Sequence, residues 1–217
     1  MNYEQARFNM VEQQIRTWNV LDTAILQALS HLPRERFVPA AFQSLAYTDT
    51  EIPLGHGQIM LPPRVDARLA HDLSLTGVET VLEIGTGHGY LTALLAQRCQ
   101  RVISLEVVPE LATQARAHLT QAGVSNAEVR VGNGATEAPP EGPFDAIVLG
   151  GSVSEIPQSL LNQLKVGGKL LAIVGEEPVM TATLVTRASA QQWASRALWD
   201  TVAPPLAGFA QPSRFKF

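Results

Sequence analysis

Apolar positions recur at helical spacing through residues 3–17, with Ala6, Met10, Val11 and Ile15 in register. Asp22 stands where a helix N-cap belongs, ahead of a second helix over 23–32 that carries Ile25, Leu26 and Leu29 on one face. Pro33 closes that helix. Residues 34–63 are dense in proline and glycine and read as mostly ordered loop, a segment type that tends to carry function when it is long. Helical spacing returns over 64–75 through Val65, Leu69 and Leu73. From Gly77 onward the pattern changes. Short apolar runs at 80–84, 101–106, 127–131, 144–149 and 169–174 are separated by helical stretches at 90–98, 109–122 and 157–164. The run Ala146-Ile147-Val148-Leu149 is continuous rather than alternating, as in a strand covered on both faces. Two late runs, 181–188 and 195–202, read as an antiparallel hairpin.

This alternation predicts an α/β fold, a doubly wound and mostly parallel seven-stranded sheet of Rossmann-like type with an N-terminal helical layer. Residues 1–76 are expected to form helices and a loop packed on the core, and 77–217 the core itself with a C-terminal tail. Residues 203–217, rich in proline and polar groups and ending near Phe215 and Phe217, read as an extended tail lying on the domain.

Composition narrows the class. Apolar residues make up 46% of the chain and charged residues 17%, enough for a full core. A net charge of −4 and a pI of about 5.7 argue against a dedicated nucleic-acid binder, which needs a basic face. No apolar run approaches the length of a membrane span, and the first residues lack the apolar core of a signal peptide, so a cytoplasmic location is expected. Cys99 is the only cysteine and reads as a buried or half-buried thiol at a helix end. The five histidines have no metal-ligand spacing, and no hydrolase nucleophile motif is present.

The candidate chemistry begins at Gly85-Thr86-Gly87-His88-Gly89, which follows an apolar run and opens a helix at Tyr90. Strand, glycine turn and helix together make a nucleotide-type site, because glycine lets the backbone approach a ligand closely. The third glycine comes one residue earlier than in a dinucleotide fingerprint. The pattern resembles that of class I methyltransferases, which hold S-adenosylmethionine, and Glu83 just before the glycines fits the resemblance. The alternative is a tight turn with no ligand. In an open α/β sheet, ligands sit beyond the carboxyl ends of the strands. Glu106 ends the second strand, where a carboxylate suits a ribose diol; the alternative is a solvated strand-end acid. Asn133, between Gly132 and Gly134, is either an adenine contact or a turn asparagine. Gly150 opens the rim after the fourth strand. With Gly85, Thr86, Gly87, Gly89, Tyr90, Val107 and Gly134, these residues form the candidate donor-binding set.

Nearly the whole chain resembles the protein-L-isoaspartate O-methyltransferase family. The matching segments are Met10-Val11-Glu12-Gln13-Gln14-Ile15-Arg16, Pro33-Arg34-Glu35-Arg36-Phe37-Val38-Pro39, Tyr47-x-Asp49, Pro53-Leu54-Gly55-x-Gly57-Gln58 and Val81 to Tyr90. Gly132-Asn133-Gly134, Phe144-Asp145-Ala146-Ile147, Ile156-Pro157 and Gln163-Leu164-Lys165-x-Gly167-Gly168 follow in order. The resemblance implies S-adenosyl-L-methionine as cofactor and an isoaspartyl residue of a protein or peptide as acceptor; from composition and spacing no metal, nucleic-acid or membrane partner is expected, and the state is a monomer or dimer.

The departures lie on the acceptor side. After Gly57-Gln58 the family continues T-I-S-x-P, whereas this chain has Ile59-Met60-Leu61-Pro62-Pro63. The family's serine, whose hydroxyl lies near the reacting groups, falls at Leu61, and its threonine at Ile59. The family's G-D-G aspartate is Asn133. His56, Gln58 and Leu61 are therefore the candidate acceptor-side residues, His56 being the one titratable group of the altered loop, with a loop-structural role as its alternative. His88 is expected to face solvent. Three readings stay open: an isoaspartyl carboxyl methyltransferase, a methyltransferase of the same scaffold with another acceptor such as a small molecule, and a non-catalytic S-adenosylmethionine-binding regulatory protein.

Overall fold

A computed structural model describes residues 2–211, so the expectation about Phe215 and Phe217 lies outside the described residues. The chain opens with α1 (Tyr3–Met10), which runs into a π-helical turn, Val11–Ile15, and a 3₁₀ turn, Arg16–Trp18. α2 (Thr23–His31) is capped as expected: Oδ1 of Asp22 accepts from the amides of Ala24 and Ile25 at 2.9 and 3.0 Å. Two 3₁₀ turns follow, Arg34–Phe37 and Ala40–Leu45.

The segment expected to be loop contains a small antiparallel hairpin, β1 (Ile52–Gly55) and β2 (Gln58–Met60). Gly55, His56 and Gly57 form its tip, and all three take positive φ, 86°, 54° and 71°. Two glycines around a single strained residue make this turn affordable. α3 (Pro63–Asp72) begins immediately after, with Pro63 in its first turn where a missing N–H costs nothing.

The main sheet has seven strands: β3 (Thr80–Ile84), β4 (Arg101–Glu106), β5 (Ala127–Val131), β6 (Phe144–Val153), β7 (Leu164–Glu176), β8 (Val179–Ser189) and β9 (Gln192–Thr201). Their order is β5-β4-β3-β6-β7-β8-β9. The first five are parallel, and β8 and β9 add the antiparallel edge. α4 (Tyr90–Ala96), α5 (Pro109–Gln121) and α6 (Gln158–Asn162) connect the parallel strands. The strand order reverses between β3 and β6, and this reversal opens a crevice at their carboxyl ends.

β6 is longer than the sequence pattern suggests. It continues through Gly150-Gly151-Ser152-Val153, with an irregular register against β7 between Val148 and Ser152. The irregularity has a partner: Ser152 donates its amide to Pro204 O and accepts the Leu206 amide, both at 2.9 Å, so the C-terminal segment is strapped beside β6. Leu206 and Phe209 are buried by this strap. One apolar core joins Met10, Ile25, Leu29 and Val65 to Val81, Ala93, Leu94 and Leu171, so the N-terminal helices cover one face of the sheet. Cys99 is buried, and burial pushes its thiol up to about 12. No helix is long and apolar enough to cross a membrane among the described residues.

Candidate active site

A cleft lies over the carboxyl ends of β3, β4 and β6, enclosing about 710 Å³ of empty space that is partly open to solvent. Gly85, Thr86, Gly87 and Tyr90 line its floor, Glu106 and Val107 one side, Gly132 and Gly134 the next, and Gly150 and Leu206 the far side. Gln58, Ile59, Met60, Leu61 and Asp66 form the opposite wall.

Backbone geometry explains the glycines. Gly85 (φ 91°), Gly87 (φ 54°) and Gly89 (φ 87°) all occupy the left-handed region. A Cβ at Gly150 would lie 2.6 Å from the Gly85 carbonyl oxygen, so β6 and the glycine turn can approach only without one. A Cβ at Gly134 would lie 2.4 Å from Cγ2 of Ile84.

Glu106 is 4% exposed and faces the cleft. Its Oε2 accepts from the Gly87 amide at 2.8 Å and its Oε1 from the Val108 amide at 3.0 Å. Burial raises its pKa, against the lowering effect of these backbone bonds. A carboxylate has about four lone-pair sites, so two protein donors leave acceptor capacity for a diol.

The structure moves three candidate donor-site residues off the cleft. Glu83 is fully buried beneath the turn, where its Oε2 accepts from Thr92 Oγ1 at 2.5 Å and Ser104 Oγ at 2.7 Å. Burial pushes its carboxyl up to about 8, so Glu83 is a proton-bearing strut under the floor. Gly89 is the first residue before α4 and faces α5, where an added Cβ would meet Ala115 and Leu119 at 3.4 Å. Asn133 takes the turn role: its Oδ1 accepts from the Ala135 amide at 3.0 Å, and its side chain lies against Gly208. A short carboxamide that bonds the backbone two residues on is a turn device.

Of the candidate acceptor-side residues, Gln58 and Leu61 line the cleft, and Leu61 is 4% exposed. His56 does not reach it; it sits exposed at the hairpin tip, held there by the positive φ of its own residue and its two neighbours. His88, expected in solvent, is instead 5% exposed. Its Nδ1 meets Phe37 O at 2.9 Å, its ring lies 5.1 Å from that of His118, and burial lowers its pKa.

Sequence reasoning missed Arg34 and Asp66. Arg34 is a fully buried cation whose Nε donates to Ala46 O (2.9 Å), Nη2 to Leu61 O (2.5 Å) and Nη1 to Asp66 Oδ2 (3.3 Å). Its guanidinium lies 4.8 Å from the Tyr90 ring centroid. The signal for Asp66 was one acid set beside Val65 and Leu69 in a helix turn that is otherwise buried. Leu206 gave no signal, because its contact with the turn depends on the strap.

The family model for protein-L-isoaspartate(D-aspartate) O-methyltransferase matches residues 5–206. The chain belongs to this family. A protein-L-isoaspartate O-methyltransferase of Methanoculleus marisnigri is 44% identical over 169 residues, covering 78% of this chain and 77% of the relative. Protein-L-isoaspartate O-methyltransferase 1 of Rhodopseudomonas palustris is 39% identical over 208 residues, covering 95% and 85%. A solved Plasmodium falciparum structure, described as a protein-L-isoaspartate O-methyltransferase in complex with S-adenosyl-L-homocysteine, superposes with a TM-score of 0.77 at 22% identity. It covers 95% of this chain and 98% of its own, a likeness of fold. Within the family, then, this member lines one wall of the cleft with Ile59 and Leu61 beside an Arg34–Asp66 pair.

Proposed function

We propose that the protein transfers the methyl group of S-adenosylmethionine to the carboxylate of L-isoaspartyl residues in proteins and peptides. The observation that carries the donor half is the Glu106 carboxylate, set at the end of β4 and tied to the glycine turn, with acceptor capacity left in the cleft. Glu106 would hold the ribose, while the glycine turn, Tyr90, Val107, Gly134 and Gly150 would line the rest of the donor. The acceptor half rests on membership of the family over residues 5–206. Such a donor acts inside cells, which favours a cytoplasmic location.

The donor supplies an electrophilic methyl on a sulfonium. The acceptor carboxylate is ionised at neutral pH, so no protein base has to remove a proton. The chain's task is to hold the partners in line and keep water out. Buried Met60 and Leu61 suit the second of these. The wall's lack of hydroxyls favours one other reading, methyl transfer on the same scaffold to a different, less polar acceptor.

The test is to supply the protein with labelled S-adenosylmethionine and an isoaspartyl peptide or its normal aspartyl twin. Base-labile label that depends on the isoaspartyl linkage is expected. Its absence, in protein that binds S-adenosylhomocysteine by calorimetry, would overturn the isoaspartyl reading and leave the second.

A further inference from the structure

The wall that faces the donor end of the cleft has a single buried cation. Arg34 sends adjacent guanidinium nitrogens to the Leu61 carbonyl and the Asp66 carboxylate, so Asp66 lies beside the stretch of wall where the family's serine would stand. Asp66 is 3% exposed and lines the same cleft. Among the described residues its Oδ1 takes no hydrogen bond, while Oδ2 is held by Arg34. Beside it the Tyr90 hydroxyl, buried against Arg34, also has no hydrogen-bond partner among the described residues.

Resting on the isoaspartyl reading, we propose that Asp66 is a specificity-determining residue of the acceptor half. Arg34 is fully buried behind this wall and does not line the cleft, so an anionic acceptor meets the Asp66 carboxyl and not a cation. Two carboxylates that share a site cannot both stay ionised without penalty. The groups facing Asp66 are Arg34 from the 3₁₀ turn, Glu83 from β3 and Tyr90 from α4, with Glu106 beyond Glu83. Arg34 is the only cation in this set. Burial holds the Asp66 carboxyl up to about 7 against the lowering effect of Arg34. A protonated Asp66 offers an O–H donor to the incoming carboxylate, and an ionised one repels it. Acceptor affinity therefore falls as pH rises through this value.

The experiment measures KM for an isoaspartyl peptide at saturating S-adenosylmethionine, in the wild type and in Asp66→Asn. In the wild type, KM should rise about fivefold between about pH 6 and about pH 8.5, with kcat changing little, since the peptide carboxylate is ionised throughout. In Asp66→Asn, KM should be low and flat, a change of profile that loss of a merely structural contact would not produce. A pH-flat KM in the wild type overturns the inference without recourse to the variant, and parallel profiles in the two proteins overturn it equally. Label absent from both proteins, with S-adenosylhomocysteine still bound, overturns the isoaspartyl reading and this inference with it.

Discussion

The Gly87 amide donates a 2.8 Å hydrogen bond to Oε2 of Glu106, which joins the turn after β3 to the end of β4. The same carboxylate that ties the turn to β4 also faces the cleft. Replacing it with Glu106→Gln keeps an oxygen acceptor and removes the charge. Hydrogen bonds to charged groups contribute about 1.5–3 kcal/mol, so affinity for S-adenosylhomocysteine should fall roughly tenfold to a hundredfold. Titration calorimetry reads this directly, and undiminished affinity in a folded variant would remove Glu106 from the donor site.

Gly150→Ala should damage the donor site without touching its polar groups. The new Cβ would sit 2.6 Å from the Gly85 carbonyl oxygen, on a turn whose amide is fixed to Leu105 O at 2.9 Å. Neither strand is a flexible side chain that can swing away. A cost of about 1–3 kcal/mol is expected, seen as a lower Tm together with weaker S-adenosylhomocysteine binding.

Leu61→Ser should trade stability for acceptor binding. Leu61 is buried in the acceptor wall, so truncation costs about 2–4 kcal/mol. The hydroxyl would add a donor for an acceptor carboxylate beside Asp66, and kcat/KM for an isoaspartyl peptide should rise about three- to tenfold. An unchanged or lower value in folded protein would show that the missing hydroxyl does not limit this member.

Stability should fall as pH rises through the neutral range. Burial pushes the Glu83 carboxyl up to about 8 from its ordinary 4.5 and the Asp66 carboxyl up to about 7 from 3.8. A raised folded pKa means the folded state binds more protons between the two values. The contribution is complete below the unfolded value and is lost as pH climbs through the folded one. Tm should therefore decline from about pH 5 to about pH 8, and Glu83→Gln should flatten that decline. A Tm slope that the variant leaves unaltered would place the Glu83 proton elsewhere.

The main sheet was legible because its parallel strands are covered on both faces and spell continuous apolar runs, as at Ala146 to Leu149. The donor half of the site was legible for a related reason: glycines at 85 and 87 take positive φ, a local backbone demand that leaves a mark in the sequence. The hairpin at Ile52–Met60 was hidden, because strands of four and three residues give too short an alternation to separate from loop. The turn role of Asn133 was one of two readings open in the sequence, and its bond to the Ala135 amide favours it. His88 was hidden differently: its partner, the Phe37 carbonyl, is distant in sequence, so only packing decides whether the side chain faces solvent or core. Arg34 and Asp66 belong to the same kind, two charges from separate segments that make sense only as a pair.

The strap beside Ser152 also bears on the order in which the protein comes into being. Leu206 rests over Gly85 and Gly151, where an added Cβ would meet it at 2.6 and 3.0 Å. A chain emerging from the ribosome makes β3, the glycine turn and all seven strands of the main sheet before it makes Leu206. The nascent protein can thus complete its sheet while the cleft over it still lacks the side that Leu206 supplies.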